Sequence, residues 1–160
     1  MVIKILVVWL LMLATVWLHF AAIVLLFLRF KTVLVIVEHS RSLFRIACLL
    51  FRVFIVLVVV HVGDAFLWAC FYRWKELFPD FQQAFYFSIS AYTTLLSGDI
   101  SLPVAWRLFG RLEAIAGWLM FGLSSSLFFA LVNRIYEHRR NLSMTSVSIP
   151  LRTERAKIPS

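Results

Sequence analysis

Apolar residues along this chain come in long unbroken runs, not in the alternating or three-and-four-residue patterns of elements half-exposed to water. Three runs are long enough to cross roughly 30 Å of hydrocarbon, which takes about 20 helical residues. The first covers residues 5–28 and is interrupted only by His19; apolar character resumes over residues 32–37, so its inner end is fixed only to within several positions. It is too long and too uniformly apolar for a signal-peptide core, and no small-x-small cleavage site precedes Arg29 and Lys31, so it reads as a retained helix. The second run covers residues 46–72 and carries Arg52, His61 and Asp64. The third covers residues 108–132, with Arg111 and Glu113 near its start and no charge after them.

Residues 73–107 are neither a full span nor an ordinary loop. Pro79 and Asp80 are a helix start signal, proline near the first turn and an acid beside it. The aromatic run that follows predicts a helix over residues 79–92, about fourteen residues or roughly 21 Å, too short to span. It ends in Thr93-Thr94-Leu95-Leu96-Ser97-Gly98-Asp99, and Pro103 then breaks the chain again. Irregular backbone at membrane depth is tolerated only where protein or water surrounds it. A short helix that dips in and returns as extended chain is the kind of segment that lines a pore.

Composition agrees. Of the 160 residues 62% are apolar and 15% charged, with mean hydropathy +0.92, against about 45–50% and about 25% in soluble domains. The net charge of +8 does not point to nucleic acid, because the basic residues sit at the ends of apolar runs, where cytoplasmic-face anchors belong. Arg29, Lys31, Arg41 and Arg45 follow the first run, and Arg134, Arg139, Arg140, Arg152, Arg155 and Lys157 follow the third. Arg73, Lys75 and Arg107 are offset by Glu76, Asp80 and Asp99. The positive-inside rule therefore puts the N-terminus outside and the C-terminus in the cytoplasm. Trp9, Trp17, Trp68, Trp74 and Trp106 read as interfacial anchors, and Trp118 as a packed residue. Residues 136–160 form a basic cytoplasmic tail, whose Ser-, Thr- and Arg-rich end from Asn141 onward is expected to be disordered. Cys48 and Cys70 lie in one helix, too far apart to bond. No phosphate loop, ligand pair or nucleophile–base motif supports an enzyme. His19, His39, His61 and His138 are dispersed, one His and one Asp enclose no metal, and no cofactor is expected beyond a permeant cation.

Residues 84–99, AFYFSISAYTTLLSGD, resemble the pore helix and selectivity filter of potassium channels, whose filter reads T-T-V-G-Y-G-D. His61 and Asp64, Trp68-Ala69-Cys70-Phe71-Tyr72, Leu102-Pro103, Trp106-Arg107-Leu108 and Glu113-Ala114 resemble a group of small bacterial members of that family. The resemblance covers residues 61–132. It implies an all-α integral membrane protein: three transmembrane helices, a re-entrant pore helix and a filter-like loop, as in the potassium-channel pore domain. The first helix and its basic connection occupy residues 1–45. The pore domain occupies residues 46–135, with outer helix 46–72, pore helix 79–92, filter-like loop 93–99 and inner helix 108–132. A homotetramer follows, since one loop builds a quarter of such a pore, in a prokaryotic inner membrane. The permeant ion is a monovalent cation, potassium first.

By the same resemblance Thr94, Leu95, Leu96, Ser97 and Gly98 supply a carbonyl-lined path, with Thr93 behind it and Asp99 at the outer mouth. Leu96 stands where the family has its first filter glycine and Ser97 where it has tyrosine, which Tyr86 and Phe87 would support. A left-handed leucine costs about 1–2 kcal/mol per copy, so the filter is expected to be looser, differently shaped or closed, and potassium selectivity does not follow from the resemblance. His61 and Asp64 share a helix face at i, i+3 and read as a pH-sensitive element or a structural pair. Glu113 either lines the outer mouth or pairs with Arg107 or Arg111. Gly117 and Gly122 are either gating hinges or close-packing positions. A non-conducting or regulatory subunit that joins a related channel chain, or a membrane scaffold, are the alternatives to a conducting pore.

Overall fold

The computed structural model describes residues 2–38, 42–95 and 98–155. Four helices carry the chain: α1 Val2–Glu38, α2 Leu43–Trp74, α3 Phe81–Tyr92 and α4 Arg107–Arg155, the last preceded by a single 3-10 turn Val104–Trp106. No strand occurs among the described residues. Among the described residues three stretches are long and apolar enough to cross a membrane: Ile3–Leu26, Leu43–Trp74 and Val104–Asn141. At 1.5 Å per residue the 12 residues of α3 extend only about 18 Å, so this helix cannot cross.

The chain divides into two compact units, Met1–Ser125 and Ser126–Ser160. Within the first, the core is a layer of aromatic rings between the upper part of α2, α3 and the start of α4. Phe71 stacks on Phe109 at 5.6 Å, Tyr72 meets Phe87 edge-on at 5.5 Å, and Phe78 lies 5.2 Å from Phe87. Trp68, Ala69, Ala84 and Ala91 complete the layer without measurable exposure. The small residues let α3 seat closely on α2. Outside this layer the long helices expose Leu10, Leu13, Trp17, Phe51, Phe54 and Leu119 to their surroundings. Such a surface suits a hydrocarbon solvent, in which apolar side chains have no reason to turn inward.

Local signals account for the element ends. Asp80 caps α3, its carboxylate accepting from the Gln83 amide at 2.8 Å, as expected from the Pro79-Asp80 start. At the other end Thr93 closes the helix, its hydroxyl donating back to the Ile89 carbonyl at 2.7 Å. Pro103 opens the 3-10 turn, with the Trp106 amide donating to its carbonyl at 2.7 Å. Lys4 ties the start of α1 to this turn, its ammonium bonding the Ala105 carbonyl at 3.3 Å and lying 4.2 Å above the Trp106 ring.

The fold departs from the sequence reading at the tail of α4 and at two tryptophans. Residues 141–155, expected to be disordered, continue α4 as helix. Their composition cannot build a core, but extending an existing helix needs no new nucleus and adds a backbone bond per residue. Trp68 is not an interfacial anchor: it is fully buried and donates to the Thr15 hydroxyl at 3.0 Å. Trp118, expected to pack, is exposed. Both errors come from reading depth along a helix where the facing neighbour decides burial.

Candidate functional site

Side chains from all four helices join in one chain of polar contacts that starts at the end of α3. Tyr92, the last residue of α3, donates its phenolic proton to Asp64 Oδ2 at 2.8 Å. That hydroxyl has one proton to give, so the His61 Nδ1 at 3.0 Å must carry its own and donate to the Tyr92 oxygen. On the far side of Asp64, His19 of α1 approaches Oδ2 through Nδ1 at 3.0 Å. Its Nε2 lies 2.7 Å from the Ser124 hydroxyl of α4. His19, Asp64 and Ser124 are buried, and the imidazoles of His19 and His61 lie 5.0 Å apart. The expected pairing of His61 with Asp64 is thus replaced by a chain of bonds in which Tyr92 stands between them. Next to it, Thr15 donates to the Leu11 carbonyl at 3.0 Å and accepts from Trp68, a second polar tie between α1 and α2.

A second buried group lies behind α3. Glu113 is fully buried, and Tyr72 donates to its Oε2 at 2.6 Å. Ser88 Oγ touches both the Ala65 carbonyl oxygen, at 2.6 Å, and Glu113 Oε1. A hydroxyl has a single proton, so both contacts are satisfied together when the Glu113 carboxyl is protonated. Glu113 therefore neither lines an outer mouth nor pairs with Arg107 or Arg111. It lies six residues, about 1.7 turns, after Arg107 on the face of α4 that meets α3, and its two carboxyl oxygens are taken by Tyr72 and Ser88.

Beyond α3 the backbone leaves helical geometry at once. Thr94 has φ 62° and Gly98 φ 82°, both left-handed. For threonine that conformation costs about 1–2 kcal/mol, which a loop keeps only when its surroundings enforce it. Leu95 is 73% exposed, and Leu96 and Ser97 lie outside the described residues. Tyr86, exposed on α3, donates to Asp99 at 3.1 Å and so ties the pore helix to the far end of the loop. Phe87, expected to support the filter beside it, points the other way into the aromatic core, since the one-residue step turns it 100° around the helix. Gly117 separates from Gly122 in role. A Cβ at 117 would lie 2.2 Å from the Tyr92 carbonyl oxygen, whereas one at 122 would meet nothing within 4 Å. Gly117 is a close-packing position against the end of α3. A cavity of about 480 Å³ opens beside this contact, lined by Val58, His61, Ala65, Ile89, Tyr92, Thr93, Thr94, Gly117, Trp118 and Phe121.

Two long apolar helices thus flank a short capped one, whose end passes into a left-handed, polar-anchored loop. The family model described as an ion channel matches residues 53–134, just over half of the chain. The chain belongs to this ion channel family. No curated protein and no solved structure matches it. The matched segment of the channel begins within α2 and ends within α4, so it takes in α3, the loop and both buried polar groups apart from the α1 residues Thr15 and His19. His19 is the residue that sequence reasoning missed. Its signal was present, a lone ionisable side chain in an otherwise apolar span, which is costly unless partnered.

Proposed function

We propose that the chain is the pore subunit of a cation channel of potassium-channel type, assembled as a homotetramer with residues 93–99 around the central axis. The observation that carries this reading is the backbone at the end of α3, where Thr94 and then Gly98 adopt left-handed angles immediately after a helix too short to cross. Such a ribbon presents backbone carbonyls to a pore in place of an ion's hydration shell. Thr94, Leu95, Leu96, Ser97 and Gly98 form the path, Thr93 backs it, and Asp99, held by Tyr86, rings the outer mouth. Leu96 and Ser97 replace the glycine and tyrosine of the potassium filter, so the channel passes potassium with weakened discrimination against sodium. The orientation is N-terminus outside and C-terminus cytoplasmic, in a prokaryotic inner membrane, as the basic residues and the family resemblance suggest.

Reconstitution in liposomes tests this directly, with potassium and sodium flux measured beside a Leu96→Gly/Ser97→Tyr double variant. Flux through the unaltered chain with a sodium-to-potassium ratio above that of the double variant is the expected result. Flux through the double variant alone would make the chain a non-conducting or regulatory subunit. Silence from both, with no tetramer on cross-linking, would remove the channel reading.

A further inference from the structure

One histidine and one acid on α2 enclose no metal, but α1 adds a third group. His19, His61 and Asp64 each bring a nitrogen or oxygen atom within 4.8 Å of the others. Imidazole nitrogen with one carboxylate suits first-row transition ions such as zinc, whereas magnesium and calcium take oxygen shells. We propose that these three side chains bind one transition-metal ion of the zinc class, which joins α1 to α2 beside the cavity. The proposal is independent of conduction.

Asp64 supplies the first reason. It is fully buried and its Oδ2 accepts from both His19 and Tyr92, yet its Oδ1 has no hydrogen-bond partner. A buried acceptor left without a partner is costly, and a cation held there removes that cost. The ligand orientation supplies the second. His19 is fixed by Ser124 through Nε2, which leaves Nδ1 facing Asp64. The Tyr92 hydroxyl holds both Asp64 Oδ2 and His61 Nδ1. Metal ligands in proteins are aimed by outer contacts of this kind. When His19 binds through Nδ1, its proton resides on Nε2, where the Ser124 oxygen accepts it. Access supplies the third reason. His61 is only half-buried and lines the cavity, which gives an ion a route in and leaves a fourth position for water. Ligand atoms around zinc stand about 3.3 Å apart, so the site tightens by at most roughly 1.5 Å on binding, the half-buried His61 closing in from its cavity side.

The test is Co²⁺ binding to the purified full-length protein in detergent, in a Cys48→Ser/Cys70→Ser background that removes the exposed thiols. The expected result is the visible absorption of four-coordinate Co²⁺, saturating at one ion per chain and displaced by Zn²⁺ but not by Mg²⁺. His61→Gln should weaken Zn²⁺ binding by more than about 100-fold with its helical circular dichroism unchanged, and Ser124→Ala by about 10–100-fold through the loss of His19 orientation. Absence of saturable Co²⁺ binding overturns the proposal. So does a site whose affinity is the same in His61→Gln and Ser124→Ala, since that ion would be held elsewhere on the chain.

Discussion

Gly117→Ala is the most direct perturbation of the contact between α4 and the end of α3. The new methyl would stand 2.2 Å from the Tyr92 carbonyl oxygen and 3.0 Å from its carbonyl carbon. Ordinary carbon–oxygen contact needs about 3.3 Å, so α3 and α4 must separate there by about 1 Å. Because the obstructing atoms are backbone, no rotamer change relieves the clash. Overpacking of this kind costs about 1–3 kcal/mol, offset in part by the 0.5–1 kcal/mol or so that alanine gains over glycine within a helix. A net loss of about 1–2 kcal/mol is expected, read as a lower midpoint of thermal unfolding in detergent. The displaced carbonyl belongs to the residue just before Thr93, so liposome flux should fall as well, whatever the ion. Gly122→Ala is the control: with nothing within 4 Å of its new methyl, it should match or exceed the unaltered chain in stability and retain flux. Equal stability and equal flux for Gly117→Ala would refute the packing argument. Lost flux with undiminished stability in Gly122→Ala would instead make residue 122 a hinge.

Further predictions come from the buried polar groups. Glu113→Gln can keep both bonds of a protonated carboxyl, giving to Ser88 and accepting from Tyr72, so its unfolding midpoint should stay close to that of the unaltered chain. Glu113→Ala strands the Tyr72 hydroxyl and opens a cavity, and should lose about 2–4 kcal/mol. If both variants lose equally, Glu113 is ionised and the proton count at Ser88 is wrong. Tyr92→Phe removes one of the two donors to Asp64 Oδ2 and the acceptor of His61, for an expected loss of about 1–3 kcal/mol by the same measurement. Thr15→Val leaves the buried Trp68 N–H without its acceptor and should cost about 1–3 kcal/mol, together with a blue shift of tryptophan emission.

The spans, the re-entrant helix and its Asp80 start were all legible in the sequence, because each is written locally: run length, a proline and an acid, an aromatic run too short to cross. The polar groups were legible only as isolated residues. Asp64 and His61 share a helix face, and that spacing suggests a pair; the actual partners of Asp64 are His19, 45 residues away on α1, and Tyr92, 28 residues away on α3. Glu113 lies near two arginines in sequence, but the face of α4 on which it sits meets Tyr72 and Ser88 instead. Adjacency to Tyr86 suggests Phe87 as a second filter support, but neighbouring residues on a helix look in different directions, and Phe87 enters the aromatic core. In each case the missing information was which helix faces which. His19, the lone ionisable group of its apolar run, needs a partner on another helix, and that cost alone could have pointed it to Asp64.

The bonds from Thr15 and His19 to Trp68 and Asp64 bear on how the protein enters the membrane. A carboxylate inside a spanning helix resists insertion when the helix goes in alone, by up to about 2.5–3.5 kcal/mol at the helix centre. α2 carries such a group, and the side chain that relieves it is on α1, one short connection earlier in the chain. Biosynthesis delivers α1 first, so its imidazole is in place when Asp64 arrives, and the two helices partition into lipid as a hairpin. An apolar helix of equal length in the place of α1 would anchor the chain equally well, yet would leave α2 to carry its acid into the bilayer unaided.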